Sequence, residues 1–321
     1  MKFSTNLKSQ VLLGCSQDLL REMPSGCIDV CVSDPPYGIA YMSKGWDRVL
    51  PNIQIFEECF RVLKPGAFAF FMTSTRQDVQ SRMVQLLEEV GFKMDFTSMS
   101  WVYSTGFPKA RSIQKDIVRK LGRKVEGFSG AAAGFQSKPA IETILVAMKP
   151  LAEKTYAEQA LANGKGVTWV DDCRIPYREK NTGRSSKKPN TNLGSTAGPT
   201  AKGRYPANLL VSDAVLDDGT CYFSQYYNLD TWYEKLNRAD LPPEVKKNFP
   251  FLIVPKPNKR EREAGLEHLP GRRVSDGREK TCDNPYQRGA TLRKNTHPTV
   301  KPIKLMSYLI TLGSRENDLV L

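Results

Sequence analysis

Histidine is scarce in this chain, with only His268 and His297 among 321 residues. None of the seven cysteines stands in a Cys-x-x-Cys pair. Structural zinc sites are built from such pairs and histidines, so a zinc centre is not expected. The cysteines are Cys15, Cys27, Cys31, Cys59, Cys173, Cys221 and Cys282. Their number is odd and several lie in apolar, strand-like runs, which predicts reduced core thiols and not a disulfide framework. No apolar run approaches the roughly 18 residues of a membrane span. The first ten residues, Met1 to Gln10, are polar and lack a secretory apolar core. A cytoplasmic protein is expected. Acidic residues are also in deficit, 34 against 47 basic ones, leaving a formal charge of +13. That excess favours a polyanionic partner such as nucleic acid, although a merely soluble basic surface would look the same.

What is present is a chain with 40% hydrophobic residues, enough for a sizeable core. Its length suits one large domain with a long insertion, or two domains. Asp18 to Glu22 has the look of a helical turn. Cys27 to Ser33 (CIDVCVS) is a continuous β-branched, apolar run, the pattern of a strand buried on both faces. Ile53, Phe56, Cys59, Phe60 and Leu63 recur at helical spacing, and Lys64-Pro65-Gly66 should stop that helix. Ala67 to Met72 reads as a second buried strand, and Val79, Met83, Leu86, Leu87 and Val90 as the next helical stripe, closed by Gly91. Phe92 to Tyr103 alternates like a strand. Ser112 to Leu121 is a basic amphipathic helix, and Ile141 to Met148 a further strand. Such alternation predicts an α/β fold with a mostly parallel sheet and helices on both faces. From about Leu151 the pattern fades into Gly, Pro, Asn, Ser, Lys and Arg. Tyr177 to Arg204, almost without large aliphatics, reads as a mobile loop. Periodicity returns at Pro302 to Leu312, and Asp318 to Leu321 opens another buried strand.

Three segments carry chemical meaning. The first is Ser33-Asp34-Pro35-Pro36-Tyr37-Gly38, at the carboxyl end of a buried strand, the edge where open α/β sheets bind ligands. An amine attached to a heteroaromatic ring is a poor nucleophile, because its lone pair is delocalised. A carboxylate such as Asp34, with a carbonyl from Pro35-Pro36, can accept both amino hydrogens and favour a pyramidal nitrogen. The prolines keep those acceptors in place. Tyr37 offers a flat face for stacking a base taken out of the duplex. The plainer alternative is a proline-rich turn with an incidental Asp. The second segment, Asn295 to Pro302 (NTHPTVKP), opens a helix, and backbone N–H groups there suit a carboxylate; an ordinary capped helix would look alike. His297 fits an orienting hydrogen-bond partner better than a general base. The third, Trp101 to Lys109, leads a strand into an aromatic loop with a basic end, where Phe107 and Lys109 would line a base pocket or touch phosphate, or form a hydrophobic plug. The glycine-rich stretch Gly127 to Gly134 follows a basic helix, not a buried strand, and is not expected to hold a cofactor.

In this order, Asp34-Pro35-Pro36-Tyr37, Trp101 to Lys109, Ile141 to Ala147 and His297-Pro298-Thr299-Val300-Lys301-Pro302 resemble the β-group of amino DNA methyltransferases, particularly prophage and restriction-associated members. The resemblance covers about Val11 to Pro150 and Asn295 to Leu321. It implies a seven-stranded, mostly parallel, Rossmann-like methyltransferase sheet and S-adenosylmethionine as cofactor. It implies that Asp34, Pro35, Pro36 and Tyr37 hold the target amine, and that Thr296, His297, Thr299 and Lys301 lie near the cofactor with Asp34. Gly14-Cys15 stands where the family has Gly-Asp, which puts Cys15 by the cofactor's adenine. Residues 1–150 would then be the first part of the catalytic core, 151–294 a basic target-recognition insertion in which residues such as Arg174 and Arg204 meet DNA, and 295–321 the return to the core. The family's D-P-F-x-G-x-G loop does not follow Asp318 to Leu321, so a core incomplete at its C-terminal end is expected. Double-stranded DNA is the expected partner, with a restriction endonuclease or a second chain supplying the missing loop as further ones. The implied activity is methylation of adenine N6, with cytosine N4 as the alternative. From another functional class, a catalytically inactive, truncated DNA-binding remnant also fits. Methylation of RNA or of protein glutamine would more usually go with Asn at position 34.

Overall fold

A computed structural model describes residues 12–39, 45–104, 110–135, 137–176, 203–218, 220, 222–234, 259–264, 266–274, 291–295, 297 and 299–321. The elements of its core, in chain order, are α1 (Ser16–Arg21), β1 (Ile28–Ser33), α2 (Ile53–Val62), β2 (Leu63–Thr73), α3 (Gln77–Val90) and β3 (Met99–Val102). Then come β4 (Arg111–Ser112), α4 (Ile113–Leu121), β5 (Ala132–Ala133), β6 (Ile141–Met148), α5 (Tyr156–Asn163), β7 (Leu209–Val211), α6 (Leu229–Glu234) and a last helix, Ile303–Gly313.

Five strands form one sheet in the order β1-β2-β6-β3-β7. β1 and β2 are parallel, as are β3 and β7, while β6 runs antiparallel to both β2 and β3. Four strands therefore share one direction and β6 opposes them. The terminal residues extend the sheet beyond β1. Val320 bridges Val30 in parallel, Leu321 N–H donates to the Val30 carbonyl at 3.0 Å, and Val32 N–H donates to the Leu321 carbonyl at 2.9 Å.

The alternation of side chains along each strand divides the core into two layers. Val30, Phe68, Phe70, Met72 and Ile144 point to one face, where Leu305, Tyr308, Leu309 and Leu312 of the last helix and Trp232 of α6 cover them. Cys31, Ala69, Phe71, Leu145 and Ala147 point to the other, under Leu20 of α1, Phe56, Cys59 and Val62 of α2, and Met83 and Leu87 of α3. A strand covered on both faces is mostly apolar, and β1 is so except at Asp29, whose buried carboxylate is paired with Lys64 and Lys165, and at the half-buried Ser33. The helical stripes expected over α2, α3 and the last helix are the buried ones. Asn52 caps α2, its side-chain oxygen accepting from Gln54 N–H at 3.1 Å, and Gly91 ends α3 in a left-handed conformation.

Some expectations are redrawn. α2 ends at Val62, just before Lys64-Pro65-Gly66, but the chain passes directly into β2, which begins at Leu63 and includes all three residues. Gly66 has φ of +77°, and a side chain there would meet Gly166 N at 2.8 Å, so the close approach of two backbone segments requires glycine. Of the alternating stretch Phe92 to Tyr103, only Met99–Val102 is strand, with a single bridge from Lys93 to Met148. The stretch after Leu151 is not uniformly irregular, since it contributes β7 to the sheet and the buried Trp232 to the core. The glycine-rich stretch Gly127 to Gly134 includes β5, which pairs with β4 next to α4, away from the sheet's strands. The described cysteines are free thiols; Cys31, Cys59 and Cys173 are buried and Cys15 is exposed. Cys221, Cys282 and residues 177–202 of the expected mobile loop lie outside the described residues. No helix among the described residues is long and apolar enough to cross a membrane.

Candidate active site

Because β6 opposes its neighbours, its first residues lie at the sheet edge where β1, β2 and β3 end. Glu142 is in register with Trp101 of β3, and Thr143 with Thr73, the last residue of β2. Asp34 leaves β1 at the same edge, and Tyr103 leaves β3 there, its N–H donating to the Ala140 carbonyl at 2.9 Å. The segment entering the last helix brings Lys301 to this point. Four elements distant in sequence thus place charged or phenolic groups together.

The cluster is closely bonded. Lys301 Nζ donates to Asp34 Oδ2 at 2.7 Å and lies 3.0 Å from Glu142 Oε2. The Tyr37 hydroxyl donates to Asp34 Oδ1 at 2.7 Å and is 3.2 Å from Glu142 Oε2. The Tyr103 hydroxyl donates to Glu142 Oε1 at 3.2 Å. Lys301 Nζ also sits 5.5 Å from the Tyr37 ring centre. Burial pushes the Asp34 carboxyl above its usual range, and the charge and hydrogen bond of Lys301 oppose that without cancelling it. Burial acts to lower Lys301, but attraction to Glu142 and Asp34 outweighs it and holds the ammonium above its ordinary value. Burial, followed by the charges of Glu142 and Asp34, pushes the Tyr37 phenol well up, so it remains a hydrogen-bond donor at neutral pH.

The loop after β1 is locked by a residue that sequence reasoning missed. Asp47 is buried, and one of its oxygens accepts from Tyr37 N–H at 2.7 Å and Gly38 N–H at 3.0 Å. It belongs to a short 3-10 turn, Gly45–Asp47, whose Trp46 ring lies 5.3 Å from the His297 ring. Gly38 has φ of +69°, and a side chain there would stand 2.8 Å from Leu50 N. The turn therefore links the Asp34 loop to the segment before the last helix.

Of the residues expected at the site, Asp34, Tyr37 and Lys301 are brought into direct contact, with Pro35 and Pro36 between the first two in the chain. His297 is exposed; its Nδ1 lies 3.4 Å from Thr299 N, whose N–H points to it, and its own N–H donates to Asn295 Oδ1 at 2.9 Å. Cys15 is the exposed residue before α1. Arg204 pairs with Ile175 in a separate bridge, and Arg174 precedes Ile175 in the chain. Arg174 stacks over Tyr205 at 5.2 Å, and Arg204 over Tyr226 at 4.3 Å. Thr296, Phe107 and Lys109 lie outside the described residues. Glu142 and Asp47 were not anticipated as site residues, and Tyr103 was expected only as part of the Trp101 to Lys109 segment. The one signal for Glu142 was a charge near the start of an otherwise apolar strand, and periodicity carries no strand direction with which to use it.

The sequence model of the N6/N4 DNA methylase family, described as DNA methylase, matches residues 28–321. The chain belongs to the DNA methylase family. No protein of curated description matches this methylase-family chain. Among solved structures, it is similar to TTHA0409 of Thermus thermophilus complexed with S-adenosyl-L-methionine. That likeness has 18% identity, 51% of this chain, 61% of that one and a TM-score of 0.30. It is also similar to the M1.HpyAVI–SAM complex, at 16% identity, 45% of this chain, 55% of that one and a TM-score of 0.28. A third likeness is to PvuII DNA methyltransferase (cytosine-N4-specific), at 14% identity, 77% of this chain, 70% of that one and a TM-score of 0.33. The chain spans less than two thirds of the first two. At scores this low, none of the three bears on how the site is read.

Proposed function

We propose that this chain transfers a methyl group from S-adenosylmethionine to the exocyclic amine of a DNA base taken out of the duplex, with adenine N6 as the target. Family membership and the Asp34 cluster at the carboxyl edge of the sheet support the reading. The donor set suits this cofactor. Two carboxylates, Asp34 and Glu142, face one ammonium, Lys301, which leaves a formal negative charge that would suit a cationic sulfonium. His297, Thr299 and Lys301, with Thr296, are the residues proposed on the cofactor side, and Cys15 by its adenine. When bound, the cofactor supplies an electrophilic methyl group.

The chain's own residues do the rest. Asp34 and a carbonyl of Pro35-Pro36 accept the two amino hydrogens and turn the nitrogen lone pair out of conjugation. The Asp34 carboxylate would take the proton that the amine releases on taking up the methyl group. Burial raises the proton affinity of that carboxyl, which suits it to the task. The Tyr37 ring stacks on the base. Residues 151–294, including Arg174 and Arg204, form the proposed DNA-reading region, Phe107 and Lys109 the proposed base-side loop, and double-stranded DNA the proposed substrate. The single observation that carries the reading is the joining of Asp34, Tyr37 and Lys301 at one sheet edge in a chain of this family.

The test is incubation of the chain with labelled S-adenosylmethionine and unmethylated DNA, followed by nucleoside mass spectrometry. N6-methyladenine is the expected product. N4-methylcytosine would keep the reaction and change the base. No methylated nucleoside, with DNA still bound, would overturn the enzymatic reading in favour of a DNA-binding role.

A further inference from the structure

Asp34 has two oxygens, and each already accepts one donor. Oδ1 takes the Tyr37 hydroxyl and Oδ2 takes the Lys301 ammonium, each at 2.7 Å. A base amine has to share an oxygen with one of these donors or displace it. A donor that leaves must find another acceptor, because Lys301 is nearly inaccessible to water, with 8% of its side chain exposed. A buried ammonium without a partner is strongly disfavoured.

The same alternative acceptor stands beside both donors. Glu142 Oε2 is 3.0 Å from Lys301 Nζ and 3.2 Å from the Tyr37 hydroxyl. Both distances exceed those to Asp34, so the donors lean towards Asp34 in this state with Glu142 within reach. Glu142 is fixed by its place in β6 and by the Tyr103 hydroxyl on its other oxygen. The groups facing it are Lys301, Tyr37 and Tyr103, with Asp34 across the ammonium.

We propose that Glu142 is a positioning residue that takes over Lys301 when the target amine occupies Asp34. Without a base, Lys301 neutralises Asp34 and keeps the site closed. With a base, the ammonium moves to Glu142 by a short side-chain rotation and Asp34 becomes an open acceptor. No proton transfer is needed for the exchange, and the charge of the cluster is unchanged. The inference rests on the methyl-transfer reading and adds how access to its acceptor is controlled.

Glu142→Gln keeps the shape and the hydrogen bond to Tyr103 but removes the charge that competes for Lys301. The single-turnover rate of methyl transfer should fall by about 10- to 100-fold, the value of one charge-assisted hydrogen bond, with DNA affinity unchanged. At saturating S-adenosylmethionine, Glu142→Gln combined with Lys301→Met should transfer faster than Glu142→Gln alone, because the ammonium no longer holds Asp34 Oδ2 while the Tyr37 hydroxyl stays on Oδ1. A merely structural role for Glu142 would give no such recovery. Independently of activity, carboxyl carbon NMR, with Asp34 assigned through Asp34→Asn, should show the Asp34 titration moving to lower pH in Glu142→Gln. A wild-type rate in Glu142→Gln, no recovery in the double variant, or an unmoved Asp34 titration would each overturn the proposal. If the unaltered chain transfers no methyl group, the functional reading fails, and the Asp34 titration still decides whether the two carboxylates share Lys301.

Discussion

Replacing Asp29 by Asn tests how the sheet is held together beside the site. Asp29 lies in β1, 3% exposed, and its carboxylate carries three donors. Oδ1 accepts from Lys64 Nζ at 2.6 Å and pairs with Lys165 Nζ at 2.7 Å, while Oδ2 accepts from Leu319 N–H at 2.9 Å. Lys165 continues to Asp318 at 2.8 Å, so the cluster binds the terminal residues to β1. An amide has one acceptor and one donor. However it is turned, its NH2 group confronts either the two ammoniums or Leu319 N–H. Removing one partner from a buried ion pair costs about 3–5 kcal/mol. The loss here is smaller, because Lys165 keeps Asp318 and Lys64 has a third of its side chain in water. About 2–3 kcal/mol of stability should be lost. Urea unfolding followed by tryptophan fluorescence measures it as a lower midpoint. The pH dependence checks the cause. Burial works to raise the Asp29 carboxyl, but the hydrogen bonds from Lys165, Lys64 and Leu319 outweigh it, and the group lies below its ordinary 3.8. A depressed carboxyl stabilises fully above its unfolded value and loses that stabilisation as pH falls through its folded one. The gap between Asp29→Asn and the unaltered chain should therefore be constant at neutral and mildly acidic pH and narrow below 3.8. A gap under about 0.5 kcal/mol at neutral pH, the range of ordinary surface substitutions, would refute the reasoning.

Three further outcomes are expected. Asp34→Ala should abolish methyl transfer with little loss of DNA affinity, since Lys301 retains Glu142 as its partner; retained activity above about a few per cent would remove Asp34 from the role given to it. Tyr37→Ala should weaken capture of the flipped base by about 1–3 kcal/mol, read as a raised Michaelis constant or lowered rate, and unchanged kinetics would count against stacking. Gly38→Ala should destabilise the loop by about 1–3 kcal/mol, because the new methyl would meet Leu50 N at 2.8 Å on a backbone with φ of +69°. An unaltered thermal midpoint for that variant would show that the loop yields freely and that Asp47 does not lock it.

Elements defined by strong local pattern are legible in the sequence. Cys27 to Ser33 had to be buried on both faces, and β1 is. The stripes of Val79, Met83 and Leu87, and of Leu305 and Leu309, are helix faces turned to the core. Asp318 to Leu321 lies beside β1, but as a single bridge at an exposed Val320 and not as the buried strand expected. Short pieces were not legible. β7 has three residues, too few for either period to register, and only its pairing with β3 makes it a strand. Trp232 gave no signal from its neighbours, and its burial depends on packing against Tyr308, far along the chain.

The site divides in the same way, and the division has a physical origin. Asp34 and Tyr37 were readable because their roles are written locally, as a carboxylate, two prolines and an aromatic at the end of one strand. Glu142 was not, because its meaning depends on strand direction. In a parallel strand, a charge at the second position would fall at the edge opposite the carboxyl ends. Only since β6 runs against its neighbours does the start of that strand meet the end of β1 and bring Glu142 within 3.0 Å of Lys301. Reversing one strand converts what looks like a solvated charge at a strand start into the second carboxylate of the cluster. The direction of β6 thus decides whether Lys301 has one partner or two, and on that choice rests whether Asp34 can be both shielded when empty and open when a base arrives.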